Sequence, residues 1–385
     1  MPATADLARS GVHTRAGDEQ PRVLFVGVSY LGHRTRFMNL RAHVEPDDRI
    51  RARFDLVTRW SETGRVRIGP LPAGLSGRVR AFAGARSLGR VPRPDVVWTN
   101  AANELAVYAW AGWGPLRRPL VLDLDGTPAQ LEQMAPIYRG DTPRQGLAWW
   151  TRQAWQHAAW SAVTHFAPIS RWAAEGLQRE GVPRDRISVM PAGVDLDAWR
   201  PSPPRRNGLP RLLFVGGDFD RKGGWILLDA VRNALAGRVM VDVVTYGSPA
   251  VPAGVRLHHS QPNSPELRAL YREADLFVLP TRGDCYPVVA IEAMAAGLPV
   301  IIGDVGATRE IVDDGETGWV VKPEARELAG VLDQAIRDRP RLEAMGRRAR
   351  SVAEARFDGA RNDRRIVDLL LRLHESWKTV RTLNR

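Results

Sequence analysis

The sequence predicts an α/β protein with two Rossmann-like domains, each built on a parallel sheet. Two continuous apolar runs, near residues 22 and 212, each lead through a Gly-containing loop into a helical stretch. This pattern is typical of a buried parallel strand and its crossover helix. A chain of 385 residues is long enough for two domains with separate cores. A Pro- and Arg-rich stretch, residues 201–210, has the composition of a linker between them.

The other elements follow the same alternation of apolar runs and helical stretches. The predicted strands are residues 22–28, 54–57, 95–99, 120–124, 212–215, 239–244, 255–258, 276–279 and 298–302. We therefore expect a flexible tail over 1–20, a first domain over 21–195, a linker over 196–210, a second domain over 211–362 and a final helix over 363–385.

The composition is that of a soluble globular protein with a strong positive charge. Hydrophobic residues make up 44% of the chain, charged residues 25%, and the formal net charge is +12. No run of 18 apolar residues is present, and residues 1–20 lack an apolar signal core. The single cysteine, Cys285, rules out an internal disulfide. These features favour a cytoplasmic protein.

Residues 65–93 form the most basic stretch, with seven arginines and no acidic residue. One interpretation is a helix attracted to an anionic membrane surface, which would place the protein peripherally at the inner face of the membrane. The other is a solvated basic face. Nucleic acid would also suit the charge, but no nucleic-acid module accompanies it. The four tryptophans of a predicted helix over 145–160 do not share one face, so we expect them to be buried against neighbouring elements, with membrane contact as the alternative.

The most informative stretch is residues 274–299, ADLFVLPTRGDCYPVVAIEAMAAGLP. An apolar strand leads into a loop that holds Asp284, Pro287 suits the start of a helix, and Glu292 lies within that helix. A helix that begins at the carboxyl edge of a parallel sheet is an anion site. An ordinary strand–loop–helix unit would have the same spacing.

Asp284 and Glu292, eight positions apart and followed by Ala293, Met294 and Gly297, resemble the Glu-x7-Glu signature of retaining family 4 glycosyltransferases. The resemblance implies the GT-B fold, in which two Rossmann-like domains with parallel sheets face each other across a cleft, and a final helix that crosses back to the first domain. It implies that Glu292 binds the ribose hydroxyls of a nucleotide and Asp284 a hydroxyl of the donor sugar. The chain departs from the signature in having Asp284 for the first Glu and Tyr286-Pro287 for the usual Phe-Gly.

A second motif, LLFVGGDFDRKGG, opens the second half at the position where this family holds the donor diphosphate. Gly216 and Gly217 allow the backbone to approach a diphosphate closely. Arg221 and Lys222 would neutralise the charge on the leaving nucleotide. The alternative for these two side chains is a solvated pair in a turn.

The acceptor side is expected in the first domain, at Gly32, His33 and Asp125. Asp125 occupies the place of a cleft histidine in the resembled family and could orient an acceptor hydroxyl. A helix N-cap is the alternative for Asp125 or Thr127. Asp123-Leu124-Asp125 also matches the Asp-x-Asp metal motif of a different glycosyltransferase architecture, but it ends a predicted core strand and GT-B enzymes usually need no metal. We therefore expect neither a metal nor a cofactor.

Together these features predict a retaining transferase that moves a hexose from a UDP- or GDP-sugar to a hydroxyl acceptor. A nucleotide-sugar epimerase of similar shape and a catalytically silent nucleotide-binding scaffold are the alternatives. The predicted catalytic residues are Asp125, Asp284, Arg221 and Lys222. The predicted donor-binding residues are Gly216, Gly217, Arg221, Lys222, Asp284, Tyr286 and Glu292.

Overall fold

A computed structural model describes residues 20–28, 32–57, 94–100, 118–140, 146–203 and 207–383. Within these ranges, no helix is long and apolar enough to cross a bilayer. The basic stretch 65–93 and nearly all of the predicted tail lie outside the described residues. The membrane-surface hypothesis therefore stays a prediction.

Among the described residues, the first sheet has five parallel strands in the order β2-β1-β3-β4-β5. Its central strands are buried on both faces, as their continuous apolar runs predict. The strands are β1 (Arg22–Val28), β2 (Arg51–Val57), β3 (Val96–Thr99), β4 (Leu120–Leu124) and β5 (His165–Pro168). The helices are α1 (Gly32–Val44), α2 (Pro128–Gln133), α3 (Ala135–Arg139), α4 (Leu147–Trp160) and α5 (Arg171–Arg179).

The second sheet has six parallel strands in the order β11-β10-β9-β6-β7-β8, so the direction of winding reverses between β6 and β9. The strands are β6 (Arg211–Val215), β7 (Met240–Val244), β8 (Val255–His258), β9 (Leu276–Leu279), β10 (Val300–Gly303) and β11 (Gly318–Val321). The helices are α6 (Gly224–Ala234), α7 (Pro265–Glu273), α8 (Val288–Ala295), α9 (Ala325–Arg337), α10 (Arg339–Arg356) and α11 (Gly359–Leu383).

The last helix, α11, belongs to the core of the first domain. Its buried Ile366, Val367 and Leu370 share one cluster with Phe25 and Phe37. The helix begins at Gly359, before the predicted boundary at residue 363.

The chain crosses between the domains at two adjacent points. The Val194 N–H donates to the Phe357 carbonyl at 3.0 Å, and the Gly359 N–H donates to the Val194 carbonyl at 2.9 Å. The two crossings are thereby joined side by side.

Three details differ from the sequence-based expectations. Pro287 lies at the N-cap position, and α8 begins one residue later. The expected burial of the tryptophans in α4 holds for Trp160, which is 4% exposed, but is wrong for Trp150, which is 69% exposed. The linker is partly structural, because Trp199 is buried and packs edge-on against Tyr271 with ring centroids 4.9 Å apart.

Candidate functional site

The loops after β6 and β9 meet where the second sheet reverses its winding. In open α/β sheets, ligands bind at such a switch point, outside the carboxyl ends of the strands. The Lys222 Nζ and the Asp284 Oδ2 form an ion pair there, with side chains 14% and 11% exposed. Two predicted site residues, 62 positions apart in the chain, are therefore brought into direct contact.

The two glycines of the β6 loop allow close approach within this loop. A Cβ placed on Gly216 would lie 2.8 Å from Lys222 Cβ. A Cβ on Gly217 would collide with the ring of Tyr246, which follows β7 and is 75% exposed. Tyr246 is an aromatic face beside the loop that the sequence analysis missed.

Arg221 is engaged inside the protein. Its side chain is 8% exposed, its Nη1 donates to the Gly283 carbonyl at 2.7 Å, and its Nε donates to Asp218 at 3.2 Å. Its guanidinium carbon lies 4.7 Å from the ring centroid of Tyr138, which belongs to the first domain. These contacts give Arg221 a role in joining the β6 loop, the β9 loop and the first domain. Its contact with a diphosphate stays a prediction.

Glu292 is a buried carboxylic acid, 3% exposed, on α8. Burial raises its pKa to about 7, although a hydrogen bond from Tyr271 and the charge of Arg268 oppose the rise. The Tyr271 hydroxyl donates to Glu292 Oε2 at 3.1 Å. In the structure the partner of Glu292 is therefore Tyr271 of the same domain. The predicted contact of Glu292 with a nucleotide ribose stays a prediction.

Tyr286 is 7% exposed, and burial raises the pKa of its hydroxyl. Its side chain is therefore largely covered, and Pro287, which follows, has no N–H to offer a ligand.

On the first domain, the two aspartates of the Asp-x-Asp segment have different surroundings. Asp123 is 2% exposed and pairs with Arg36; burial raises its pKa, and the Arg36 charge opposes the rise. The Asp125 side chain is 32% exposed, and its Oδ2 lies 3.6 Å from His33 Nε2. No group of three His, Cys, Asp or Glu side chains among the described residues could hold a metal ion.

The N-cap of α2 is Thr127, which settles one alternative for Asp125. The Thr127 hydroxyl accepts from the Gln130 N–H at 3.3 Å, and the Gln130 side chain accepts from the Thr127 N–H at 2.9 Å. Asp125 is thus left beside His33 at the carboxyl end of β4. Gly32, also assigned to the acceptor side, is the first residue of α1 and adjoins His33.

The two halves of the site touch each other across the domain boundary. A Cβ on Gly126 would lie 3.3 Å from Cys285 Sγ, and one on Gly283 would lie 2.8 Å from Ile137 Cγ2. Burial, and then the charges of Asp125 and Asp284, raise the pKa of the Cys285 thiol. Asp125 of the first domain and Asp284 of the second therefore act on the same thiol. The arrangement is a two-domain α/β fold of GT-B type with facing loops.

Comparisons with known proteins identify the family. Residues 196–352 match the family described as "Glycosyl transferases group 1", and residues 14–193 match "Glycosyl transferase 4-like domain". A D-inositol 3-phosphate glycosyltransferase of Thermomonospora curvata is 32% identical over 313 residues, which is 71% of this chain and 69% of that protein. The chain belongs to the group 1 glycosyltransferases, and the predicted family is confirmed.

Other relatives match a shorter part. The protein of the same name from an Arthrobacter species is 33% identical over 202 residues, 46% of this chain and 48% of that protein. The matched part of the chain thus spans about half the length of several of its curated relatives.

Solved structures confirm the predicted fold. Sucrose-phosphate synthase from Thermosynechococcus elongatus has a TM-score of 0.74 at 19% identity and covers 93% of this chain and 100% of its own. HepE from Anabaena, solved in complex with UDP, has a TM-score of 0.68 at 19% identity and covers 91% of this chain and 99% of its own.

Proposed function

We propose that the protein is a retaining glycosyltransferase that moves a hexose from a UDP-sugar to a hydroxyl acceptor. One observation carries the proposal. A lysine and a carboxylate, Lys222 and Asp284, meet at the switch point of the second sheet. From the first domain, the loop after β4, whose Asp125 lies beside His33 of α1, packs against Cys285, the residue next to Asp284. A cation and a hydroxyl-binding carboxylate in one enclosed site suit a sugar joined to a diphosphate.

The choice of UDP over GDP follows from the fold relatives. HepE has been solved in complex with UDP and with UDP-glucose, and its fold matches most of this chain. At 18–19% identity this likeness concerns the fold alone. Because that fold relative was solved with UDP-glucose, UDP-glucose is the first donor to test. The relatives' names make a phosphorylated cyclitol the first acceptor to test.

The proposed chemistry breaks the bond between the sugar C1 and the diphosphate oxygen and forms a bond between C1 and the acceptor oxygen on the same face. The acceptor proton passes to a diphosphate oxygen, and UDP leaves. Lys222 exchanges its contact with Asp284 for one with the diphosphate, and the N-terminus of α8 adds its partial positive charge. Asp284 is then free to hold a sugar hydroxyl, and Glu292 accepts from the ribose.

An enzymic nucleophile is absent from this scheme. Cys285 is the thiol in the cleft, but burial keeps it neutral, and a neutral thiol is a poor nucleophile. The two alternatives predicted from the sequence remain outcomes of the test below.

The test is incubation of the purified protein with UDP-glucose, with and without candidate acceptors, followed by chromatography of the products. A transferase should release UDP only when an acceptor is present. An epimerised UDP-sugar formed without acceptor would identify an epimerase instead. Tight UDP binding in calorimetry without transfer to any acceptor would support the silent scaffold.

We also propose that residues 65–93 draw the enzyme to anionic membrane surfaces. Replacing Arg78, Arg80 and Arg86 by Gln should weaken binding to phosphatidylserine vesicles, since each charge contributes about 1 kcal/mol near the surface. Activity on a short soluble acceptor should persist. If the wild-type protein does not sediment with such vesicles at low salt, this proposal is wrong.

A further inference from the structure

Glu310 of the second domain binds the start of a helix in the first domain. It ends a short 3-10 turn, Thr308–Glu310, that follows β10. Its carboxylate accepts from the backbone N–H groups of Arg171 at 2.8 Å and Trp172 at 2.7 Å. These are the first two residues of α5. N–H groups at a helix start have no partner within the helix, and the partial positive charge there favours a carboxylate.

The remaining donor in this turn of α5 is satisfied locally, because the Ser170 hydroxyl accepts from the Ala173 N–H at 3.0 Å. The helix therefore has an ordinary N-cap of its own. The two bonds to Glu310 come in addition to it, and they join two domains rather than two parts of one.

Glu310 is held in place from its own side. Arg356 donates to the Glu310 carbonyl and pairs with Asp313 at 3.0 Å. The carboxylate is thus presented to α5 by a turn that is fixed within the second domain.

Both ends of this contact lead directly to the loops of the candidate site. On the first domain, the Trp172 carbonyl accepts from the Gln130 side chain at 2.7 Å. The same side chain accepts from the N–H of Thr127, and Thr127 lies two residues after Asp125. On the second, the Ala307 N–H donates to the Cys285 carbonyl at 3.0 Å, next to Asp284. The acceptor and donor loops are therefore each one or two hydrogen bonds from the contact.

We propose that Glu310 is a positioning residue that holds the two domains in the closed arrangement and so sets the donor loop against the acceptor loop. The inference rests on the proposed function for its consequence, glycosyl transfer, but not for the contact itself. Glu310 acts through α5 and touches neither substrate.

The native chain offers a direct reporter of domain opening. Cys285 is its one cysteine, is 1% exposed, and is covered from the first domain by Gly126 and Tyr138. Its alkylation by iodoacetamide therefore requires the domains to separate. The alkylation rate measures the fraction of molecules in which the domains are open, and it requires no turnover. The contact between Glu310 and α5 can therefore be tested independently of the proposed reaction.

The experiment changes each side of the contact. Glu310→Gln removes the charge and sets an NH2 group against the N–H donors. Arg171→Pro removes one donor at a position where helices tolerate proline, after a Ser170 that is already extended at φ −145° and ψ 160°. The matched controls are Arg171→Ala, which keeps the N–H, and Glu316→Gln, an exposed acid of the same segment.

We expect both test variants to alkylate roughly 10-fold faster, as the loss of hydrogen bonds to a charged group would allow. The double variant should be no faster than the faster single one, because both changes break one contact. Melting temperatures should stay within a few degrees. If the reaction with substrate is established, kcat should fall while the affinity for UDP is unchanged.

Equal alkylation rates in Glu310→Gln and the wild type would overturn the proposal. Additive effects of the two changes would also overturn it, because they would show that the residues act separately. Faster alkylation in Arg171→Ala would attribute the effect to the arginine side chain and not to the backbone donor.

Discussion

Lys222 is the single side chain on which the proposed chemistry depends most. It is mostly buried, it contacts Asp284, and it is one of only three lysines in the chain. Lys222→Ala should lower the turnover number by a factor on the order of 10²–10³, which is typical for removal of one group that stabilises transition-state charge. The exposed Lys322, changed to Ala, is the matched control. If Lys222→Ala turned over at the wild-type rate with saturating donor, this residue would have no part in the mechanism.

Glu292 should make the stability of the unliganded protein depend on pH. Burial raises its folded pKa from 4.5 to about 7. The folded state therefore holds the proton more tightly than the unfolded state does. The stability that protonated Glu292 contributes is fully present below pH 4.5. It decreases as the pH rises from 4.5 to about 7, and above that pH stability no longer changes through this group. The loss amounts to about 3 kcal/mol at most.

The check is urea unfolding of the wild type and Glu292→Gln at pH 5 and pH 8. Because glutamine does not ionise, the variant should gain stability relative to the wild type as the pH rises. Glu316→Gln, at an exposed position, should show no such gain. A difference between Glu292→Gln and wild type that is equal at both pH values would show that Glu292 ionises normally in the folded protein.

At the scale of elements, the crossing helix α11 joins the start of the chain to its end. Leu370 is fully buried in the cluster that holds Phe25 and Phe37, whereas Leu383 at the end of the same helix is 80% exposed. Leu370→Ala should lower the free energy of unfolding by about 2–5 kcal/mol. Leu383→Ala should change it by less than about 0.5 kcal/mol. Equal effects of the two changes would mean that α11 does not complete the first domain.

The sequence could predict the elements and the loops because those depend on local patterns. The buried run Leu276–Leu279 follows from apolar continuity, and the start of α8 follows from proline to within one residue. Lys222 and Asp284 were both assigned to the donor site through the resemblance to the family's motifs, and in the structure their loops meet at the carboxyl ends of neighbouring parallel strands. Glu292 was correctly placed within a helix for the same local reasons.

The contacts between elements could not be predicted in the same way. Tyr271 meets Glu292 across 21 positions, and Glu310 meets Arg171 across 139. No periodicity or spacing connects such pairs, since they depend on how helices pack and domains close. The exposure of Trp150 was missed for a related reason: composition reports that a side chain is apolar, but only the packing of its helix decides whether anything covers it.

At the scale of the whole molecule, the division of labour between domains bears on stereochemistry. Both carboxylates of the resembled signature, Asp284 and Glu292, lie in the second domain with Lys222. A retaining reaction can proceed with these groups and the leaving diphosphate alone. An inverting reaction needs a general base on the first domain, positioned to take the acceptor proton. Asp125, beside His33, is the candidate there.

The retaining and inverting mechanisms predict different anomers of the product and different activities of the Asp125→Asn variant. We expect the product to keep the anomeric configuration of the donor, because the acceptor attacks the face that the diphosphate leaves. Asp125→Asn should raise KM for the acceptor and leave measurable turnover, because an amide can still orient a hydroxyl. NMR of the purified product gives the anomer, and initial rates give the effect of the variant. The opposite anomer, together with an inactive Asp125→Asn, would reassign Asp125 as the catalytic base and would make Asp284 a donor-binding residue in an inverting enzyme.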